Sequence, residues 1–416
     1  MTRSYGNFNL MAKPAGPRCN LCCDYCFYLE KEQLFPDRKN LRMMDEVLEA
    51  YTRQYIKATD APEVVFAWQG GEPTLMGVEF FKKAVALQKQ YGNGRRITNT
   101  LQTNGILLND EWCSFLAENS FLVGLSLDGP SKIHDRFRKD RNGKSTFDRT
   151  MQALEMMKRH MIEFNVLACI NRESAKRPRE VYRFFKKNGI RFIQFIPVVE
   201  RYMDQNDGKD GFRLTRPDYR EDFAVAPWSV DPHAYGDFLI GVFDEWIRQD
   251  VGKVFIMNFE WTLASWMGTP QASCVHAARC GQALILEHNG DVYSCDHYMF
   301  PEYRIGNILT DDLAVMVVSE KQRAFGESKE KSLPDTCSHC EMLFACHGGC
   351  LKHRFAKSPE GEPGMNYLCP GAKRYFGHVE KTMNTMAELI KRGIPVSRIM
   401  ELVNSTGADE RRRGIT

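Results

Sequence analysis

Four cysteines stand within eight residues near the start of the chain, in the run CNLCCDYC from Cys19 to Cys26. Two registers compete for them. Cys19-x-x-Cys22 spaces two thiols as half of a zinc site or as a redox pair. Cys19, Cys23 and Cys26 instead form C-x-x-x-C-x-x-C and leave Cys22 over. A zinc half-site needs a second pair, and the next cysteine, Cys113, is solitary. A redox pair leaves Cys23 and Cys26 without a task. Three thiolates have a chemistry of their own: holding a four-iron cluster, they leave one iron open to a small chelating ligand. Eight more cysteines lie between Cys274 and Cys369, and among them CSHCEMLFACHGGC runs C-x2-C-x5-C-x3-C. Eight thiolates suffice for two fully ligated clusters or for two zinc ions, and spacing alone leaves both open.

Composition narrows the setting. The 416 residues include 56 basic and 53 acidic side chains, for a formal net charge of +3. So even a balance argues against a nucleic-acid backbone as partner. The start, MTRSYGNFNLMAKPAG, has no apolar run long enough for a signal peptide, and no later segment is suited to span a membrane, so a cytoplasmic protein is expected. Thiols stay reduced in that compartment, which favours metal ligation over disulfides for the 14 cysteines.

The elements that must position these thiols follow from hydrophobic period. Short apolar or β-branched runs, FNLMAKP, Glu63–Gln69, ITNTLQT, FLVGLSLDG, FNVLACIN and RFIQFIP, read as strands. Amphipathic stretches separate them: DEVLEAYTRQYIKA, VEFFKKAVALQKQY, NDEWCSFLAEN, TFDRTMQALEMMKRHM and PREVYRFFKKNG. Asn109 or Asp110 suits an N-cap and Gly189 a C′ position. Such alternation implies a parallel sheet with right-handed crossovers, an open barrel or a doubly wound sheet. In either, chemistry gathers at the carboxyl ends of the strands, and the first cysteine run follows the first strand. Residues 202–227 are polar, rich in Gly and Asp and without period. They read as a linker, or as a loop over the site. The helix HAYGDFLIGVFDEWIRQ follows. The cysteine-rich part has few long periodic elements and suits a small domain stapled by metal rather than by a large core. ADERRRGIT reads as a solvated tail.

C-x-x-x-C-x-φ-C with Tyr25 at φ resembles the signature of the radical S-adenosylmethionine superfamily. QGGEP (Gln69–Pro73), LSLDGP and HDRFR match that family as well. The order of the later cysteines resembles the SPASM extension of peptide-modifying radical enzymes. Within that subgroup the chain is most similar to the anaerobic sulfatase-maturating enzymes, through KPAGPRCNLCCDYCFYLEK, FAWQGGEPTLMG, LQTNGILL, GLSLDGP, GDVYSCDHY and HGGC. The doubled Cys22–Cys23 and the long 202–227 segment depart from the pattern.

The resemblance implies a partial (β/α)6 TIM-like barrel over 1–201, a connecting segment and helix over 202–272, and a C-terminal cysteine-rich iron–sulfur (SPASM) domain with a C-terminal helix over 273–416. It implies S-adenosylmethionine and three 4Fe–4S clusters as cofactors. Cys19, Cys23 and Cys26 would hold the open cluster. Cys274, Cys280, Cys295 and Cys350 would hold the first auxiliary cluster, and Cys337, Cys340, Cys346 and Cys369 the second. Ser126 and Arg138 would meet the methionine carboxylate, Gly71 would offer backbone contacts, and Tyr28 and Val199 would flank the adenine. Asp296, directly after Cys295, would be the base, with His297 a neighbour and Asp128 turning its loop. Cys22 would be a bystander, and Cys113 and Cys169 core thiols. The implied activity is oxidation of a Cys or Ser side chain to Cα-formylglycine. Its partners would be an unfolded or nascent sulfatase, bearing Cys/Ser-x-Pro-x-Arg, and a reduced donor such as flavodoxin or ferredoxin. Two other functions compete: thioether cross-linking of a ribosomal peptide, which would tend to bring a leader-binding domain, and a non-catalytic metal-stabilised electron carrier, which leaves a three-thiolate site unexplained.

Overall fold

A computed structural model describes residues 8–36, 40–203, 213–220 and 223–412, with the side chains of 406–412 excepted. Six strands, β1 (Asn9–Lys13), β2 (Glu63–Trp68), β3 (Arg96–Thr103), β4 (Leu122–Ser126), β5 (Phe164–Ile170) and β6 (Phe192–Pro197), pair in chain order, each parallel to the next. These are the six runs of β-branched and apolar residues expected to form strands, and they make the partial barrel. Helices α1 (Asp45–Ala58), α2 (Val78–Tyr91), α3 (Asp110–Glu118), α4 (Ser131–Phe137), α5 (Phe147–Arg159) and α6 (Pro178–Lys187) lie in the connections. The Asn109 side chain caps α3, accepting from Trp112 N at 2.9 Å, and Gly189 takes φ +66° just past α6. Helix α4 had no clear sequence signal. It is short, follows Pro130 and has no side-chain cap.

Two expectations change. Segment 202–227 is not plain linker where it is described. Strand β7 (Arg201–Met203) pairs antiparallel with β8 (Phe223–Val225), and the buried Arg201 guanidinium donates to the carbonyls of Tyr219, Arg216 and Pro217 at 2.7, 3.0 and 3.1 Å. Residues 204–212 and 221–222 lie outside the described part. The cysteine-rich region, for its part, does not stand on metal alone. After α7 (Pro232–Gln249), β9 (Phe255–Ile256) and α8 (Met257–Trp266) come β10 (Ala283–Glu287), β11 (Asp291–Tyr293) and β12 (Arg304–Asn307). Strand β10 pairs parallel with β1, and β9 with β6, so one 10-stranded sheet runs β12-β11-β10-β1-β2-β3-β4-β5-β6-β9. One apolar core contains Leu10, Phe66 and Val123 of the barrel together with Leu284, Leu286, Val379 and Met383 of the C-terminal part. Helix α9 (Cys369–Lys391) packs on α7, and the terminal helix, Ile399–Arg412, takes in the first residues of the expected tail, whose last four lie outside the described part.

Candidate active site and thiol sets

The carboxyl ends of the strands open on a cavity of about 450 Å³. Cys19, Cys23 and Cys26 line it from the loop after β1, as do Gly71, Ser126, Arg138 and, from the C-terminal part, Asp296 and His297. Cys22 is exposed and does not line it; its backbone N–H is spent on Lys139 O at 2.8 Å. Burial, with Glu72 nearby, pushes the Cys19 thiol up to about 12, and burial raises Cys23 and Cys26 as well. Three buried, mutually repelling thiolates are unstable without a cationic group between them, so this set fits a metal cluster.

The loop after β2 is built around close approach. Gly71 N donates to Gly16 O, and Glu72 N to Arg18 O, both at 2.8 Å. A Cβ on Gly71 would stand 1.9 Å from the Arg18 carbonyl oxygen, so only glycine fits there. Glu72 is fully buried and ties the loop to the end of β3. One of its oxygens accepts from Thr74 N, Thr74 Oγ1 and Thr103 Oγ1 at 3.1, 2.6 and 2.8 Å, and the other from Asn104 N at 2.8 Å. Asn104 in turn directs its amide toward the Cys19 sulfur at 3.7 Å.

Ser126 Oγ accepts from Gln102 at 2.9 Å, which fixes the hydroxyl at the cavity wall. Arg138 is buried, and its Nε pairs with Asp128 at 3.0 Å. Asp128 also accepts from Tyr25 Oη at 2.5 Å and Cys169 N at 2.9 Å. It is the hub that orients Arg138, a larger part than turning its loop. Cys169 lines the cavity and its sulfur accepts from Arg138 at 3.7 Å, whereas Cys113 is a core thiol. Tyr28 and Val199 do not reach the lining; Tyr25 and Val198 do. The Tyr28 ring is turned under the Lys13 ammonium, 3.9 Å from its centroid, and its hydroxyl donates to the Glu287 carboxylate.

Asp296 is half-buried and ion-pairs with Lys13, the last residue of β1, at 2.6 Å. Burial alone would raise its carboxyl, but the ammonium of Lys13, with that of Lys352 beyond it, outweighs burial and holds the group below the ordinary value. Burial next to Lys352 drives His297 down to about 3, so its ring is neutral beside the Phe27 ring, 4.8 Å away. Lys352, two residues past Cys350, forms a buried pair with Glu200 at the end of β6.

The remaining thiols fall into two sets. Cys350 is among the groups that raise Cys274, Cys280 and Cys295, after burial, and Cys274 acts likewise on Cys280 and Cys295. Cys337 and Cys340 act in the same way on Cys346, and these three on Cys369. Two sets of four thiols are what two fully ligated four-iron clusters require. Two buried cations lie between them. Lys329 donates to the carbonyls of Cys274 and Val275 at 2.8 and 2.9 Å, and Arg354 Nε to Gly348 O at 2.9 Å. Spacing could not have revealed Lys13, Lys329 or Arg354; Glu72 and Asp128 at least sat inside GGEP and LDGP.

Residues 14–185 match the Radical SAM superfamily and residues 274–341 the SPASM iron–sulfur cluster-binding domain. A serine-type anaerobic sulfatase-maturating enzyme of Bacteroides thetaiotaomicron is 46% identical over 389 residues, 93% of either chain. The chain belongs to the anaerobic sulfatase-maturating enzymes. A cysteine-type enzyme of Clostridium perfringens is 33% identical over 92% of this chain and 99% of that one. The solved structure of native anSMEcpe with bound AdoMet and Kp18Cys peptide superimposes with a TM-score of 0.79 at 32% identity, covering 91% of this chain and 99% of that one. As a member of this family the chain is a radical S-adenosylmethionine oxidoreductase, and its cofactors are S-adenosylmethionine and three 4Fe–4S clusters. Among the described residues no helix is long and apolar enough to cross a membrane.

Proposed function

We propose that this chain oxidises a serine of a nascent or unfolded sulfatase, in a Ser-x-Pro-x-Arg context, to Cα-formylglycine in the cytoplasm, and that cysteine in the same context is a second substrate. Serine is preferred because the serine-type relative is 46% identical and the cysteine-type 33%. The carrying observation is that Asp296 shares one cavity with Cys19, Cys23, Cys26, Ser126 and Arg138.

When bound, the open cluster and S-adenosylmethionine supply a 5′-deoxyadenosyl radical able to take a hydrogen atom from the target Cβ. Cys19, Cys23 and Cys26 would hold that cluster. Arg138, held by Asp128, and Ser126, held by Gln102, would bind the methionine carboxylate, and the Gly70–Gly71 backbone would meet the ammonium. Tyr25 and Val198 take the adenine-flanking part expected of Tyr28 and Val199, because they line the cavity. Cys274, Cys280, Cys295 and Cys350 would hold one auxiliary cluster, which would supply an acceptor for the electron left after loss of a hydrogen atom and a proton, and Cys337, Cys340, Cys346 and Cys369 would hold the other. Asp296, kept ionised by Lys13, accepts the proton from the target hydroxyl or thiol within hydrogen-bond reach.

The test is anaerobic incubation of the reduced holoenzyme with S-adenosylmethionine and Ser-x-Pro-x-Arg or Cys-x-Pro-x-Arg peptides, read by mass spectrometry. Both peptides become aldehydes, the serine one faster. A cysteine peptide that loses hydrogens yet keeps its sulfur would point to a cross-linked product and sink the proposal.

A further inference from the structure

The outer side of the first cysteine loop is covered by a short basic hairpin. Cys22 N donates to Lys139 O at 2.8 Å and Asp24 N to Phe137 O at 3.1 Å, and Leu21 bridges antiparallel to Asp140. The hairpin closes through the bridge between Lys139 and Ser145, and Arg141 Nε donates to the Cys19 carbonyl at 2.8 Å. A molecule resting on this hairpin is separated from Cys19, Cys23 and Cys26 by one layer of peptide. The inner side of the same thiols faces the cavity that cofactor and substrate occupy.

The charges of the hairpin are not neutralised at home. Asp135 is spent on Thr146 N, Phe147 N and Ser145 Oγ at 2.9, 3.0 and 2.7 Å. Asp140 is spent on Asn142 N and Lys144 N, both at 2.9 Å, and on Arg149 at 3.1 Å. Arg18, Lys139, Arg141 and Lys144 have no carboxylate partner among the described residues, with Asp24 and Asp148 the exposed acids nearby. In a chain whose formal net charge is only +3, this local excess is a feature of the place and not of the composition.

We propose that this hairpin face is the docking surface of a small acidic one-electron carrier protein. The inference rests on the radical S-adenosylmethionine reading, which requires one electron delivered to the open cluster for each cleavage: the carrier is oxidised by one electron and the cluster reduced by one. Electron tunnelling falls steeply with distance, so the carrier must sit against the cysteine loop. Among the described residues this is its exposed side, where Cys22 stands open, and its charge is complementary to an acidic protein.

The test compares the wild-type holoenzyme with the Lys139→Glu/Lys144→Glu variant, whose altered side chains lie outside the cavity and leave the backbone bonds of the hairpin in place. The protein reductant is flavodoxin hydroquinone or a reduced plant-type ferredoxin, whichever drives the wild type faster; dithionite is the small-molecule control. The variant loses about tenfold or more in kcat/KM for the carrier and keeps its dithionite-driven rate. The wild-type carrier-driven rate falls with added salt, and the variant's does not. Low-salt binding of the oxidised carrier, read by calorimetry, weakens in parallel, and Lys139→Arg/Lys144→Arg restores both readouts. Equal carrier-driven rates in wild type and Glu variant overturn the docking surface. Failure of the wild type with dithionite overturns the functional reading instead.

Discussion

Asp296 owes its state to Lys13, the first residue of the KPAGPRC run, whose place opposite Asp296 nothing in the sequence announces. The ammonium is 1% exposed and 2.6 Å from the carboxylate. Asp296→Asn therefore does two things. It removes the proton acceptor, which costs about a hundred- to ten-thousand-fold in product formation. It also leaves a buried ammonium unpaired, at a cost of about 3–5 kcal/mol, so the melting temperature falls as well. Hydrogen abstraction precedes proton loss, so 5′-deoxyadenosine still forms while formylglycine falls away. Formylglycine at a near wild-type rate from this variant would pass the role of base to another group, His297 first. Cysteine spacing marked the thiols because ligation to one cluster imposes spacing on the chain. The supporting residues carry no such mark. Tyr25 and Asp128 are 103 residues apart, and Lys352 and Glu200 152 apart; only the fold makes them neighbours. The same limit explains Tyr28. Tyr25 lies inside the cysteine motif and Tyr28 two residues past it, and the chain alone does not say which ring faces inward.

At the scale of elements, period and turn residues sufficed for the six barrel strands and for the five longer helices between them, since each strand and helix buries a regular face. They failed where pairing partners lie far off, as for the strands flanking 204–222, and where an element is as short as Ser131–Phe137. The loop after β2 shows how strand ends are locked together into a site. Gly71 lies against the Arg18 carbonyl with no room for a methyl group. Gly71→Ala must push the loop after β2 from the loop that carries Cys19, Cys23 and Cys26. Overpacking of this kind costs about 1–3 kcal/mol, and here the displaced elements are the cluster loop and its neighbour. The variant is expected to show a lowered melting temperature, loss of the open cluster's share of bound iron and no cleavage of S-adenosylmethionine, with the auxiliary clusters retained. Full iron content and normal cleavage would mean that the two loops can separate without harm.

On the scale of the whole molecule, the division at residue 272 is one of chemistry and not of folding. Strand β1 has β2 on one side and β10 on the other, and β10, from the cysteine-rich part, pairs along its whole length whereas β2 pairs only at Met11 and Ala12. Helix α9 covers α7, whose Phe238, Val242, Phe243 and Trp246 are buried. Removing 273–416 would bare that helix face and leave β1 as an edge strand, the kind of surface that aggregates. Metal stapling alone, the expectation for a cysteine-rich tail, predicts the opposite: two halves that fold separately and touch only through the cavity. Fragment 1–272 expressed alone is accordingly expected in inclusion bodies. Co-expressed with 273–416, it becomes soluble and co-purifies with it, because pairing of β1 with β10 and packing of α7 on α9 need no covalent link. If 1–272 alone is a soluble monomer with cooperative thermal unfolding, the shared core is dispensable and the auxiliary domain is an appendage. If it is not, the auxiliary thiols stand where they do because the β10–β11 hairpin that leads to Cys295 also extends the barrel sheet beyond β1.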